Sequence, residues 1–199
     1  MRRRRFILMV ATLWMAALAA ILLVTRGSTH WWTSVASRPV IGQPFHLAAA
    51  RTGGFVDSRD LVGKPYGVFF GFTHCPEVCP TTLFEMSTAF GELKDEAKDF
   101  RLFFITVDPE RDKPEILKDY LSNFDARIEG LVPTLDELPD LARSFRVVYE
   151  KVPSSDGGYT MNHTALVFLF DKQGEFKSSI SFGEDPDVRL KKLRLIIIE

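Results

Sequence analysis

Residues 66–72 form an uncharged run of aromatic, branched and glycine residues that leads into Thr73-His74-Cys75-Pro76-Glu77-Val78-Cys79-Pro80. A short apolar run of this kind is the signature of a strand buried in a covered sheet. Past Pro80 the apolar positions Leu83, Met86, Ala89, Phe90 and Leu93 recur at helical spacing, which predicts an amphipathic helix. Both cysteines of the chain therefore sit where a buried strand turns into a helix. In open α/β sheets that is the edge at which sites are commonly built.

The rest of the chain extends the pattern. Phe45 and Leu47 alternate with polar neighbours, and Thr52-Gly53-Gly54 offers a turn before Phe55 and Val56, so a hairpin is expected. Residues 101–107 read as a second buried strand ending at Asp108-Pro109. Residues 114–124 read as a helix, with Pro114 near its start where proline is tolerated. Residues 135–145 suggest a third helix, with Pro139 blurring its beginning. A short strand over 147–152, a loop over 153–158 and a strong strand over 163–170 follow. Lys172-Gln173-Gly174 then turns into residues 176–180, and a closing helix from Asp185-Pro186 carries Leu190, Leu193 and Ile197. Strands alternating with helices, then a terminal hairpin and helix, indicate an α/β layered fold with a mixed sheet.

A chain of 199 residues suits one domain with an appendage. Arg2, Arg3, Arg4 and Arg5 precede an uncharged stretch from Phe6 to Val24, about 19 residues, enough for a helix to cross a bilayer core. A secretory signal peptide is the competing reading, with Ala16, Ala17, Ala19 and Ala20 imitating a cleavage site. The apolar run continues beyond them through Ile21 and Val24, which favours an uncleaved anchor. Four arginines before the span and only Arg26 close behind it favour a cytoplasmic N-terminus. Trp31 and Trp32 fit an interfacial anchor just past the span. The expected organisation is 1–27 for the cytoplasmic tip and transmembrane helix, 28–39 for a tether, and 40–199 for the folded domain. The expected location is a bacterial inner membrane, spanned once with the domain in the periplasm, or the mitochondrial inner-membrane equivalent. A formal net charge of -1 gives no reason to invoke nucleic acid.

Two cysteines in an exported domain ordinarily suggest a structural disulfide. Three intervening residues close so small a loop that little chain entropy is removed, so reactivity or metal binding is the better reading. Pro76 holds Cys75 in extended backbone. Pro80 suits the first helical position and leaves Cys79 at or beside the N-cap, where free amides and the helix dipole favour a thiolate. A four-cysteine zinc site is impossible within one such chain, and soft thiolates with one imidazole suit copper, particularly Cu(I). Of the four histidines, His30 falls in the tether and His46 in the hairpin. His74 adjoins Cys75 but points to the other side of an extended segment, so it tunes or lines the site. His163 opens a strand that, if antiparallel to residues 66–72, starts at the cysteine edge. Asp108 reads either as a turn residue or as an outer partner of the cysteines.

Gly71-Phe72-Thr73-His74-Cys75-Pro76-Glu77-Val78-Cys79-Pro80, then Val107-Asp108-Pro109-Glu110-Arg111-Asp112, then His163-Thr164 together resemble the Sco/SenC family of copper chaperones for cytochrome c oxidase. The likeness runs from about Ile41 to the final helix. It implies a thioredoxin-like, three-layer fold about a central mixed sheet, with copper, as Cu(I), Cu(II) or both, held by Cys75, Cys79 and His163. It implies supporting roles for Asp108, His74 and Asn162. The last stands where the family often has an aspartate, and an amide would polarise the imidazole less than a carboxylate. The implied task is maturation of the oxidase's binuclear copper centre, by delivering copper or by reducing that subunit's cysteines. The implied partner is the copper-binding subunit of the oxidase, with another copper chaperone or a thiol reductase as further candidates. Three rivals stand beside this. One is a metal-free thiol-disulfide oxidoreductase, whose spacing would differ from the two-residue motif of thioredoxins. Another is a peroxiredoxin, which would want threonine where Pro76 stands. The third is a tethered docking module with an inert disulfide.

Overall fold

The structure is a computed structural model that describes residues 40–154 and 157–198, with the isolated positions 14, 15 and 18. The chain divides into two compact units, Met1–Pro39 and Val40–Glu199. The expected span and tether lie, almost to the last residue, outside the described residues. Among those described, no helix is long and apolar enough to cross a membrane.

In chain order the second unit runs β1 His46–Ala49, β2 Phe55–Asp57, β3 Tyr66–Gly71, α1 Val78–Leu93, β4 Arg101–Thr106, α2 Pro114–Leu121 and β5 Ile128–Val132. It continues with α3 Leu138–Ser144, β6 Tyr149–Pro153, β7 Tyr159–His163, β8 Leu166–Phe170, β9 Phe176–Ser181 and α4 Pro186–Ile198. Seven strands form one sheet in the order β2-β1-β5-β4-β3-β8-β9, and β6 and β7 form a separate pair. The three central strands β3, β4 and β5 are parallel, while β1, β2, β8 and β9 join antiparallel, so the sheet is mixed as expected.

Every residue of β3 is buried, and in β4 only Arg101 is exposed. That is why both read as continuous apolar runs in place of an alternation. Aromatic rings fill the space around them. Tyr66 stacks on Phe170 at 4.8 Å between centroids, and Phe145 meets the edges of Phe70, Phe168 and Phe170 at 5.2–5.8 Å. The helices α1 and α4 are joined by Arg189, nearly fully buried, whose guanidinium lies 2.8 Å from the Glu85 carboxylate.

Four local expectations are corrected. The helix after the cysteine loop begins at Val78, so Cys79 is its second residue and Pro80 its third. The helix expected over 135–145 is shorter. It runs from Leu138 to Ser144 and is preceded by a turn in which Thr134 donates to the Glu137 carboxylate from N at 2.8 Å and Oγ1 at 2.9 Å, and Glu137 N returns a bond to Thr134 Oγ1 at 3.2 Å. Pro139 then falls in the first turn, where no amide is needed. His163 closes β7 and does not open the strand to Phe170, which begins at Leu166. Finally, β5 was not expected at all, because Glu129 and Gly130 interrupt its apolar pattern. The Glu129 carboxylate is buried but accepts the amides of Arg51, Thr52 and Gly130 at 2.7–3.1 Å.

Gly130 is required for packing. A Cβ there would stand 2.7 Å from Leu117 Cδ2 and 2.8 Å from Leu121 Cδ1 on α2. Gly91, exposed near the end of α1, would place a Cβ in open space. In urea unfolding of the full-length chain, Gly130→Ala is expected to cost about 1–3 kcal/mol through overpacking. Gly91→Ala is expected to stabilise by up to about 1 kcal/mol through helix propensity. Two changes of the same sign would contradict this packing.

Candidate metal centre

Parallel pairing of β3 with β4 aligns Gly71 with Thr106, so both chains leave the sheet at the same edge. The cysteine loop follows β3 there, and the segment 107–113 follows β4. Because β8 runs antiparallel to β3, with Val167 opposite Phe69, its beginning lies at that edge too. The end of β7 is three residues upstream of Leu166. Three stretches far apart in sequence are thus delivered to one place by sheet topology alone.

At that place the donor atoms of Cys75, Cys79 and His163 all lie within 4.8 Å of one another. Both cysteines are free. The Cys79 amide, in the first turn of α1, donates to Cys75 Sγ at 3.3 Å, and Cys79 Sγ lies 3.3 Å from His163 Nε2. Cys75 is half-buried, whereas Cys79 is wholly buried. Room for the Cys79 sulfur comes from Gly71, where a Cβ would approach it to 2.9 Å and Phe104 to 2.6 Å. His163 is held edge-on by Phe72 and Phe69, with centroids at 5.8 and 6.2 Å. Its Nδ1 lies 3.1 Å from the Thr164 carbonyl. A carbonyl only accepts, so Nδ1 carries the proton and the Nε2 lone pair faces the sulfurs.

The two thiols are driven apart electrostatically. Cys75 is pulled down to about 4, because the Cys79 thiol donates to it and the amides of Cys79 and Glu77 add to that. Cys79 is pushed far up by its bond to Cys75, by burial and by the neighbouring negative charge. The expectation from sequence had the thiolate at Cys79. The structure reverses it, because helix amides are offered to groups ahead of the helix, and Cys79 inside the first turn points its own sulfur into the core.

A buried carboxylate underpins the loop. Asp112 is fully buried and accepts from Thr73 N at 3.0 Å, Thr73 Oγ1 at 2.6 Å and Thr106 Oγ1 at 2.6 Å. Sequence reasoning passed over it. The only available signal was a carboxylate closing the segment Asp108-Pro109-Glu110-Arg111-Asp112. Asp108 is buried as well, and accepts from Arg111 Nε and from the Tyr159 hydroxyl at 3.0 Å. His74 is exposed, with Nδ1 3.0 Å from Thr73 Oγ1. Asn162 is exposed on the outer face of β7, so the Thr164 carbonyl and not residue 162 orients the imidazole. His46 lies on the surface, stacked on Phe55 at 4.8 Å. His30 is outside the described residues. Neither His74, Asn162 nor Asp108 belongs to the donor cluster.

Two sulfurs and one imidazole within a common coordination radius are a soft donor set, suited to Cu(I) and compatible with Cu(II). The same two sulfurs also have the proximity to close a disulfide after a small movement.

The family model described as SCO1/SenC matches residues 34–197. The human mitochondrial SCO1 homolog is 36% identical over 142 residues, which cover 70% of this chain and 47% of that protein. A SCO2-like protein of Rickettsia prowazekii is 36% identical over 138 residues, 68% of this chain and 67% of its own length. The chain spans about half the length of the first curated relatives it matches. The structure of Bradyrhizobium japonicum ScoI with copper bound matches with a TM-score of 0.72 at 44% identity, covering 78% of this chain and 99% of that one. Arabidopsis thaliana ScoI with copper bound gives a TM-score of 0.73 at 31% identity, over 79% and 98%.

The separation of the two thiols is directly measurable. In the metal-free, reduced chain, thiolate absorbance at 240 nm should show one group ionising near pH 4 and none further up to pH 9. Cys75→Ser should abolish the acidic step. The sign for stability follows. Cys75 is depressed from 9.0, so its stabilisation is present above that value and lost as pH falls through about 4. Cys79 is raised, so it opposes stability only as pH climbs past 9.0. Two thiols titrating together near pH 9 would contradict this arrangement.

Proposed function

The chain belongs to the SCO1/SenC family, and from that premise we propose that it is a membrane-anchored copper chaperone that helps to mature the binuclear copper centre of cytochrome c oxidase. The observation that carries this reading is the convergence of Cys75, Cys79 and His163 donors within 4.8 Å at the edge of a mixed sheet. Copper is the cargo. Cys75 and Cys79 supply its sulfur ligands and His163 its nitrogen, while Gly71, Phe72 and Asp112 keep the donors in place. The half-buried Cys75 is the route of exchange, because a partner's ligand can approach it from solvent. The fully buried Cys79 retains the ion. Copper-bound relatives from Bradyrhizobium japonicum and Arabidopsis thaliana support the choice of metal.

The uncharged segment from Phe6 to Val24 behind four arginines supports an inner-membrane anchor with a cytoplasmic N-terminus and the 40–199 domain in the periplasm. Relatives named as mitochondrial support a mitochondrial equivalent of this placement. The partner is then the copper-binding subunit of the oxidase on the same side of the membrane, with another copper chaperone or a thiol reductase acting beside it.

One observation favours a second reading, reduction of the oxidase subunit's cysteines. A thiolate at Cys75 next to a protonated thiol at Cys79 is an attacking and resolving pair. A structure describing a disulfide switch in BsSco, a Sco-family cytochrome c oxidase assembly protein, matches at 25% identity with a TM-score of 0.65.

The reduced full-length chain should bind one copper, and Cys75→Ser, Cys79→Ser and His163→Ala should each weaken binding by about tenfold or more. Anaerobic mixing of the copper-loaded chain with the apo copper domain of an oxidase subunit separates the two readings. Net copper transfer is expected for the chaperone, whereas oxidation of this chain's thiols without copper transfer would establish the reductase.

A further inference from the structure

His163 reaches the sulfurs from a hairpin that stands apart from the main sheet, since β6 and β7 pair with each other in a sheet of two strands. An isolated two-stranded hairpin is marginally stable in water. Its placement must therefore come from contacts with the body. Along β7, Tyr159, Met161 and His163 alternate on the inward face, with Tyr159 and His163 half-buried and Met161 buried.

The contacts at Tyr159 are polar and stacked. Arg111, in the segment after β4, donates from Nη1 to the Tyr159 carbonyl at 2.9 Å and lies 3.7 Å over the Tyr159 ring. Its Nε donates to the buried Asp108, and the Tyr159 hydroxyl donates to the same carboxylate at 3.0 Å. Lys151 of β6 covers the Tyr159 ring at 3.9 Å and pairs with Glu110 at 2.6 Å. The Arg111 guanidinium also stands 5.9 Å over Phe72, and the Phe72 ring is the one that meets His163 edge-on. A chain of contact thus runs from Asp108 through Arg111 and Phe72 to the imidazole.

We propose that Arg111, Asp108 and Tyr159 form a clamp that positions His163 over the sulfurs and so sets how long copper is held. This rests on the copper reading above. With the clamp closed, the ion has three donors. With it open, His163 withdraws and two sulfurs remain, leaving a coordination position that an acceptor's ligand can enter. The exchange moves only the metal ion and involves no electron transfer. Arginine is required because a lysine ammonium, although it has several donors, lacks the rigid planar fork that reaches the Asp108 carboxylate and the Tyr159 carbonyl together while stacking on the Tyr159 ring.

The test uses the copper-loaded full-length chain, with bathocuproine disulfonate as acceptor for Cu(I) and electron paramagnetic resonance of the Cu(II) form. Arg111→Lys should release copper about tenfold faster, the usual cost of losing a group that orients a metal ligand. Its Cu(II) spectrum should move toward that of His163→Ala. Tyr159→Phe keeps the ring and removes only the hydroxyl, so it should act in the same direction but less. In a His163→Ala background, Arg111→Lys should add nothing, which a general loss of stability would not reproduce. An equal acceleration in that background, or wild-type release and spectrum in both clamp variants, would overturn the proposal. If His163→Ala alone left copper binding unchanged, the ligand set itself would fall and the clamp with it.

Discussion

The site depends on one buried charge. Asp112 has no exposure, and its two oxygens accept three hydrogen bonds from Thr73 and Thr106. Thr106 ends β4, and Thr73 begins the cysteine loop after β3. The carboxylate therefore ties together the ends of two parallel strands that would otherwise splay where their ladder stops. A buried carboxylate without partners would be expelled or protonated. Paired to three donors it fixes the loop in a single conformation, and the geometry of Cys75 is inherited from that.

The two sulfurs have different surroundings because the loop places them on either side of the α1 terminus. Cys75 lies ahead of the helix and collects amide donors. Cys79 lies within the first turn and is turned toward Gly71 and Phe104. Their mutual hydrogen bond lowers Cys75 and raises Cys79, and burial, which raises both, adds to the separation only at the deeper Cys79. A negative charge is concentrated on the more accessible sulfur, which is also where a metal or a partner disulfide would arrive first.

Much of the layout was legible in the residues. The uninterrupted apolar runs of β3 and β4, the helical spacing from Leu83 to Leu93, and the glycine-bearing turns at Gly53-Gly54 and Gly174 all announced their elements, because a buried strand or an amphipathic helix leaves a local pattern. What escaped has a long-range cause. β5 carries Glu129, which belongs in a strand only because Arg51 and Thr52, far away in sequence, supply its donors. His163 looked like the start of a strand because the break at Thr164 and Ala165 follows from a sheet the sequence does not display. Asp112 looked like one more loop acid, since nothing local reveals that Thr73 is waiting 39 residues upstream. The thiolate was assigned to the wrong cysteine because the helix begins two residues before Pro80. Proline in a first turn marks the neighbourhood of a helix start but not its residue.

The Cys75–Cys79 hydrogen bonding also fixes a proton count. At neutral pH the pair holds a single proton, on the deeper sulfur. A metal ion taking both sulfurs as thiolates must displace that proton and only that one, since the more accessible sulfur has already given up its own. Capture at these sulfurs is thus an exchange of one hydrogen ion for one metal ion, and it becomes tighter by about a factor of ten for each unit that pH rises. Acidification of the surroundings would loosen the site's grip.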